Sequence, residues 1–186
     1  MEKKYSVAIY PSQDVIDSVK IMKDYLETKI GWYNSKNSTA HITICEFKMT
    51  EAELEKIKLK LHKICDTFTP FPVQLDHFGS YDAGAFFISP NEDSKTNLKP
   101  IMKKTQDALR LSNMKKSNDP HISIGRRLTP ESIKIASHLF TTIDINFSCN
   151  SIVLRELDEV RKQFFVIDTF PFNSNTQPEF IQGSLF

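Results

Sequence analysis

The stretch His41-Ile42-Thr43-Ile44-Cys45-Glu46-Phe47 decides how this chain is read. Ile42 and Ile44 alternate with other residues at the period of a strand whose one face lies in a core, so His41 and Thr43 share the opposite face. Eighty residues on, His121-Ile122-Ser123-Ile124-Gly125-Arg126 repeats the pattern of an imidazole with a hydroxyl two positions along. A single copy is a common accident of a strand rim. Two copies set a pair of proton-transfer groups, each beside a hydrogen-bond donor, and two such units facing each other would grip a phosphate.

The surroundings of the two stretches repeat as well. Thr50 with Glu53 forms a capping box, and Thr129-Pro130 places a cap before a proline at the first helical position, so helices begin nine and eight residues after their histidines. Farther on, Ala85-Phe86-Phe87-Ile88 is echoed by Gln163-Phe164-Phe165-Val166. These matches define an internal repeat of roughly fifty residues per copy.

Composition narrows the classes. A chain of 186 residues suits one domain of two lobes sharing a core, and 25% charged with 40% hydrophobic residues is the balance of a folded globular chain. A net charge of +1 supplies no global field for duplex DNA, so nucleic-acid contact must be a local patch or a strand end. Cys45, Cys65 and Cys149 are odd in number and widely spaced, which fits free thiols in a reducing compartment. No stretch approaches the ~20 apolar residues of a membrane span and no signal-peptide core follows Met1, so the expectation is a cytoplasmic monomer without membrane contact.

In chain order, residues 5–10 read as a strand and the next helix turns Val15, Val19, Met22 and Leu26 inward, with Lys20, Lys23 and Asp24 off that face. Residues 31–39 form a polar loop, in which Trp32 reads as a packing residue sealing the loop. A helix follows Thr50, leaving His62 solvated. The alternation of residues 71–78 gives a strand that places His77 with Val73 and Leu75 on the inward face, and residues 85–89 give another. Residues 90–95 read as a link into a helix over 98–109, with Pro100 in its first turn. A polar loop over 115–120, in which Lys115 and Lys116 read either as a solvated charge run or as a phosphate-guiding patch, a helix from Thr129 with His138 exposed, and strands over 143–147, 151–157 and 163–168 complete the chain. Residues 79–84 have the glycine spacing of a phosphate loop but lack its Lys and Ser/Thr. The fold expected is α+β, with two pseudo-twofold-related lobes, each an antiparallel sheet covered by helices, and the active site in the cleft between them. One bilobal domain spans 1–172, and residues 173–186 form a fraying tail.

The doubled His-x-Thr/Ser motif resembles that of the 2H phosphoesterase superfamily, in its 2′-5′ RNA ligase and cyclic phosphodiesterase branch. The resemblance runs from Tyr5-Ser6-Val7-Ala8-Ile9 to Phe170-Pro171-Phe172, with Pro120 also typical of the second motif. It implies that His41, Thr43, His121 and Ser123 are catalytic: one neutral imidazole acts as general base, the other, as imidazolium, as general acid, and the hydroxyls donate to the non-bridging oxygens. No metal and no cofactor are implied. The substrate would be a 2′,3′-cyclic phosphate or 2′,5′-phosphodiester of an RNA end or small nucleotide.

Arg126, Arg155 and Lys162 are candidates for further phosphate contact, and Tyr10 or Trp32 for stacking on a base. Three other readings stay open: 2′,5′ ligation as the reverse reaction, a non-catalytic module that grips nucleotide or RNA-end phosphate, and metal-dependent hydrolysis with His41, His121 and Cys45 as ligands.

Overall fold

The two histidine stretches meet directly: Ile42 pairs with Ile122 in antiparallel register, and the fold grows outward from that contact. A computed structural model describes residues 1–175. In these, the elements are β1 (Glu2–Ile9), α1 (Gln13–Ile30), β2 (Ile42–Thr50), α2 (Glu51–Asp66), β3 (Phe71–Tyr81), β4 (Ala85–Pro90), α3 (Glu92–Leu109), β5 (Lys115–Lys116), β6 (Ile122–Gly125), α4 (Pro130–Leu139), β7 (Ile145–Cys149), β8 (Ser151–Asp158) and β9 (Gln163–Pro171). Their sheet order is β7-β3-β4-β6-β2-β1-β8-β9, with the short β5 beside β2 and every pairing antiparallel. The fold is α+β.

A pseudo-twofold axis passes between β6 and β2 and divides the sheet into two four-stranded halves. Ile9 pairs with Ile42 as Ile88 pairs with Ile122, and Ala8 faces Thr43 as Phe87 faces Ser123. Each histidine strand then carries a bulge at the same place. Ile44 and Ile124 are skipped before Val7 meets Cys45 and Phe86 meets Gly125. The bulge resets the alternation of β2, so the inward set passes from Ile42 and Ile44 to Cys45, Phe47 and Met49. Helices α1 and α4 pack on the β4, β6 and β7 side, while α2 and α3 pack on β2 and α2 also on β9. Ile42, Ile44, Ile122 and Ile124 are fully buried. At about 1.5–3 kcal/mol each, this burial opposes any one-residue slip that would turn the histidines inward.

Both caps form where the sequence placed them. The Glu53 carboxylate accepts from the Thr50 N–H at 3.3 Å and hydroxyl at 2.6 Å, and the Thr129 hydroxyl accepts from the Ser132 N–H at 3.1 Å. Several expectations need correction. Helix α3 starts at Glu92 because the Asn91 side chain caps it by accepting from the Ser94 N–H at 2.8 Å, which puts Pro100 in the helix interior. His77 is exposed and bonded to Asp76, because a bulge between Leu75 and His77 breaks the alternation. Trp32 is 71% exposed and seals nothing, whereas Lys23 is 1% exposed. The echo of residues 85–88 in 163–166 does not mark equivalent strands: β4 lies beside a histidine strand and is buried, while β9 is a sheet edge. Of the expected tail, residues 174 and 175 bond through their backbone N–H groups to Phe68 and Asp66, and residues 176–186 lie outside the described residues. No helix among the described residues is long and apolar enough to cross a membrane.

Candidate active site

Extending the Ile42–Ile122 register by one residue each way sets His41 across from Ser123 and Thr43 across from His121, all on the face opposite the buried isoleucines. Diagonal neighbours in such a ladder, here the two histidines, are about 7–8 Å apart. Each ring is held in the same way. His41 Nδ1 lies 2.6 Å from the Thr39 carbonyl oxygen and His121 Nδ1 lies 2.9 Å from that of Asp119. A carbonyl only accepts, so Nδ1 carries the proton in both rings, and Nε2 is left as the basic nitrogen of the neutral imidazole. Arg126 stands between the units: its Nε donates to Ser123 Oγ at 3.3 Å and its backbone N–H to the Asn34 carbonyl at 3.4 Å.

The neighbours of the two rings differ. Arg155 lies opposite Ser6 in the position that the pseudo-twofold axis matches to Tyr81, opposite Ala85. The Arg155 side chain is 2% exposed, donates to Ser6 Oγ at 2.6 Å, lies over the Tyr10 and Phe164 rings at 5.7 and 5.0 Å, and leaves its Nε without a partner. Tyr10 in turn lies 6.2 Å from the His41 ring. On the other side, Tyr81 meets His121 edge-on at 5.5 Å, Phe87 packs on it at 4.9 Å, and the Tyr81 hydroxyl donates to the Asp119 carboxylate. Burial, then the Arg155 charge, holds His41 well below the usual imidazole range. Burial also lowers His121, but its nearest charge is the favourable Asp119 carboxylate.

A cleft of about 790 Å³ opens from His41 and is lined by the loop of residues 32–39, Arg126, Arg127 and the β8–β9 turn. Four of its cations are answered: Lys4 by Glu46, Lys36 by Glu27 and Asp24, Arg161 by Asp158 and Lys162 by Glu159. Four more, Lys115, Arg126, Arg127 and Arg155, have no carboxylate in ion-pair reach among the described residues, and Glu46 is the one carboxylate in the lining. Trp32 and Phe164 also line it. The site candidates Arg126, Arg155, Lys162 and Trp32 therefore share one cleft with His41, while Tyr10 is not part of its lining and touches it only through Arg155 and His41. Sequence reasoning missed Lys4, Arg127 and Arg161 as cleft residues, and Tyr81 and Phe87 as neighbours of His121. Of the Lys115-Lys116 run, read as a solvated charge run or a phosphate-guiding patch, Lys115 does line the cleft, brought there by the backbone register of β5 opposite Glu46 of β2. Cys45 is fully buried, with its thiol pushed up to about 12 by burial. No group of three metal-ligating side chains occurs among the described residues.

Fold and site together define a two-lobed α+β protein with paired, backbone-anchored histidines at its axis. The sequence pattern of the 2′-5′ RNA ligase superfamily matches residues 13–161, and the chain belongs to that family. A provisionally named phosphoesterase of Geobacillus thermodenitrificans (strain NG80-2) is 25% identical over 128 residues, 67% of this chain and 70% of that one. Among solved structures, E. coli LigT complexed with 3′-AMP matches with a TM-score of 0.67 at 12% identity, over 92% of this chain and 99% of that one. E. coli LigT complexed with NADP+ matches at 0.64 and 13% identity, over 93% and 99%. A protein of Thermus thermophilus matches at 0.64 and 16%, over 92% and 99%. These likenesses show a shared fold.

Proposed function

We propose that the protein is a metal-independent phosphodiesterase that hydrolyses a 2′,3′-cyclic phosphate or 2′,5′-phosphodiester at an RNA end. The observation that carries this reading is the duplicated unit: two imidazoles with matching Nδ1 anchors, flanking the Ile42–Ile122 pair whose register, extended by one residue, sets each opposite a hydroxyl of the other strand. In-line displacement at phosphorus needs a proton taken from the attacking oxygen on one side and a proton given to the leaving oxygen on the other. The different neighbours divide the roles. His41, beside Arg155 and held neutral, is the base: its Nε2 takes a proton from water as the water oxygen bonds to phosphorus. His121 is the acid. A bound phosphate adds negative charge beside it and, with Asp119, favours its protonated form, so that its Nε2 gives a proton to the ribose oxygen as the P–O bond breaks. Thr43, Ser123 and Arg126 donate to the non-bridging oxygens, where charge accumulates.

The cleft favours an RNA end over a free mononucleotide. Four unanswered cations are more than one phosphate needs for charge balance, and Trp32 and Phe164 in the same lining offer faces for bases. Nucleotides bound to LigT, 3′-AMP and NADP+, are consistent with a nucleotide ligand here. The test is a substrate panel in the presence of chelator: a 2′,3′-cyclic mononucleotide, an oligoribonucleotide with a 2′,3′-cyclic end, a 2′,5′-linked oligonucleotide and ADP-ribose cyclic phosphate, with product position read by phosphorus NMR. Turnover of the cyclic-ended oligonucleotide with the lowest KM is expected. Binding without turnover of any member would favour a phosphate-gripping module instead.

A further inference from the structure

Lys23 of α1 and Gln106 of α3 occupy matching places. Each lies on the helix preceding a histidine stretch, each is buried, and each reaches the backbone of the loop leading to its histidine. Gln106 Nε2 donates to the Ser117 carbonyl at 2.7 Å and the Ile44 carbonyl at 3.0 Å. Lys23 Nζ donates to the Ser38 carbonyl at 2.6 Å, to Ser38 Oγ at 3.0 Å and to the Ser35 carbonyl at 3.3 Å. The Tyr33 hydroxyl returns a bond to the Lys23 carbonyl at 3.1 Å. The next residue after Ser38 is Thr39, whose carbonyl anchors His41.

We propose that Lys23 is a positioning residue for His41: its ammonium fastens residues 35–38 and thereby fixes the Thr39 carbonyl that aims the imidazole, while Gln106 is a non-titrating counterpart for His121. Counting protons supports this. Ser38 Oγ gives its own hydrogen to the Ser35 carbonyl at 2.8 Å, so all three partners of Lys23 are acceptors. Only an ammonium has three donors and no lone pair, and losing one proton would turn a lone pair against an oxygen. The charged groups facing Lys23 are Lys20 on its own helix, Arg126 beyond β6 and His41, with no carboxylate in ion-pair reach among the described residues. Burial and these cations hold its pKa down to about 7, so the fastening would loosen as pH rises through neutrality on the His41 half alone.

The effect on turnover rests on the phosphodiesterase reading of His41; the effect on its hydrogen bond does not. Protein labelled with 15N in its imidazoles separates the two, because exchange of the Nδ1 proton reads each anchor and His121 serves as internal control. In Lys23→Met the His41 exchange rate should rise by about tenfold or more relative to His121, with kcat reduced, and Gln106→Leu should shift the ratio the other way. In the wild type the same ratio should rise between pH 6 and 8.5, which decides the matter if Lys23→Met fails to fold. An unchanged ratio in folded Lys23→Met, or in the wild-type pH series, overturns the proposal, as do equal changes at both histidines. A shifted ratio in a protein that cleaves no phosphodiester would uphold the fastening and refute the functional reading.

Discussion

Replacing Lys23 by methionine should make the stability of the protein depend differently on pH. Lys23 is 1% exposed and its pKa is lowered from 10.5 to about 7. Between these values the unfolded chain binds a proton that the folded chain does not, so the wild type gains stability as pH rises and loses it as pH falls toward 7. The gap of roughly 3.5 pH units, at about 1.4 kcal/mol each, amounts to about 5 kcal/mol over the full window, of which about 3 kcal/mol lies between pH 7 and 9.5. Methionine has no such term. The hydrogen bonds to Ser35 and Ser38 are absent from the variant at every pH, and their dependence on the ammonium in the wild type belongs to the same folded pKa, so it adds no separate pH dependence. Urea titrations followed by far-ultraviolet circular dichroism at pH 6, 7, 8.5 and 9.5 give the difference between variant and wild type. Methionine's advantage should be largest and flat below pH 7, then shrink by about 3 kcal/mol by pH 9.5. A difference that does not vary with pH would contradict this linkage, since the ammonium would then cost the fold nothing.

Further outcomes are expected. His41→Ala and His121→Ala should each lose at least ~10²-fold in rate, and Thr43→Ala and Ser123→Ala roughly ten- to several-hundred-fold, in initial-rate assays with melting temperatures little changed. Both histidines are held below the ordinary 6.5, so they contribute stability above that pH that is lost as it falls through their folded values; His41→Phe should flatten this acid limb in thermal melts across pH 4–7. The pH profile of kcat/KM should be bell-shaped, with apparent values belonging to the pair, and Arg155→Met should move its acid limb upward by relieving the charge beside His41. Binding of a non-cleavable oligoribonucleotide that meets about three cleft cations should weaken about 20-fold between 50 and 200 mM salt, and that of a mononucleotide far less, by fluorescence titration.

The paired motif was legible because its chemistry and its strand period coincide: alternation put His41 and Thr43 on one face, and duplication gave them partners. The two helix caps were legible for the same local reason. What was hidden depends on contacts distant in sequence. Nothing in Val15, Val19, Met22 and Leu26 indicates that Lys23, at the edge of their helical stripe, turns inward, because its acceptors are carbonyls of the next loop. The bulges at Ile44 and Ile124 leave no mark in alternation until the partner strands are known. Asn91 capping Ser94 was a local signal overlooked in favour of Pro100, which the longer helix tolerates. A net charge of +1 concealed the cationic cleft, since the compensating carboxylates lie elsewhere on the surface.

In the proposed reaction His41 and His121 act together on one phosphodiester without a metal. The most direct measurement is single-turnover cleavage of an oligoribonucleotide with a 2′,3′-cyclic end, after dialysis against a strong chelator, by wild type, His41→Ala, His121→Ala and the double variant. Full wild-type turnover is expected, with at least ~10²-fold loss in each single variant and a double variant little worse than either, because the two groups act as a unit. Loss of wild-type turnover on chelation with recovery on adding zinc or manganese, or near-wild-type cleavage by either single variant, would contradict it.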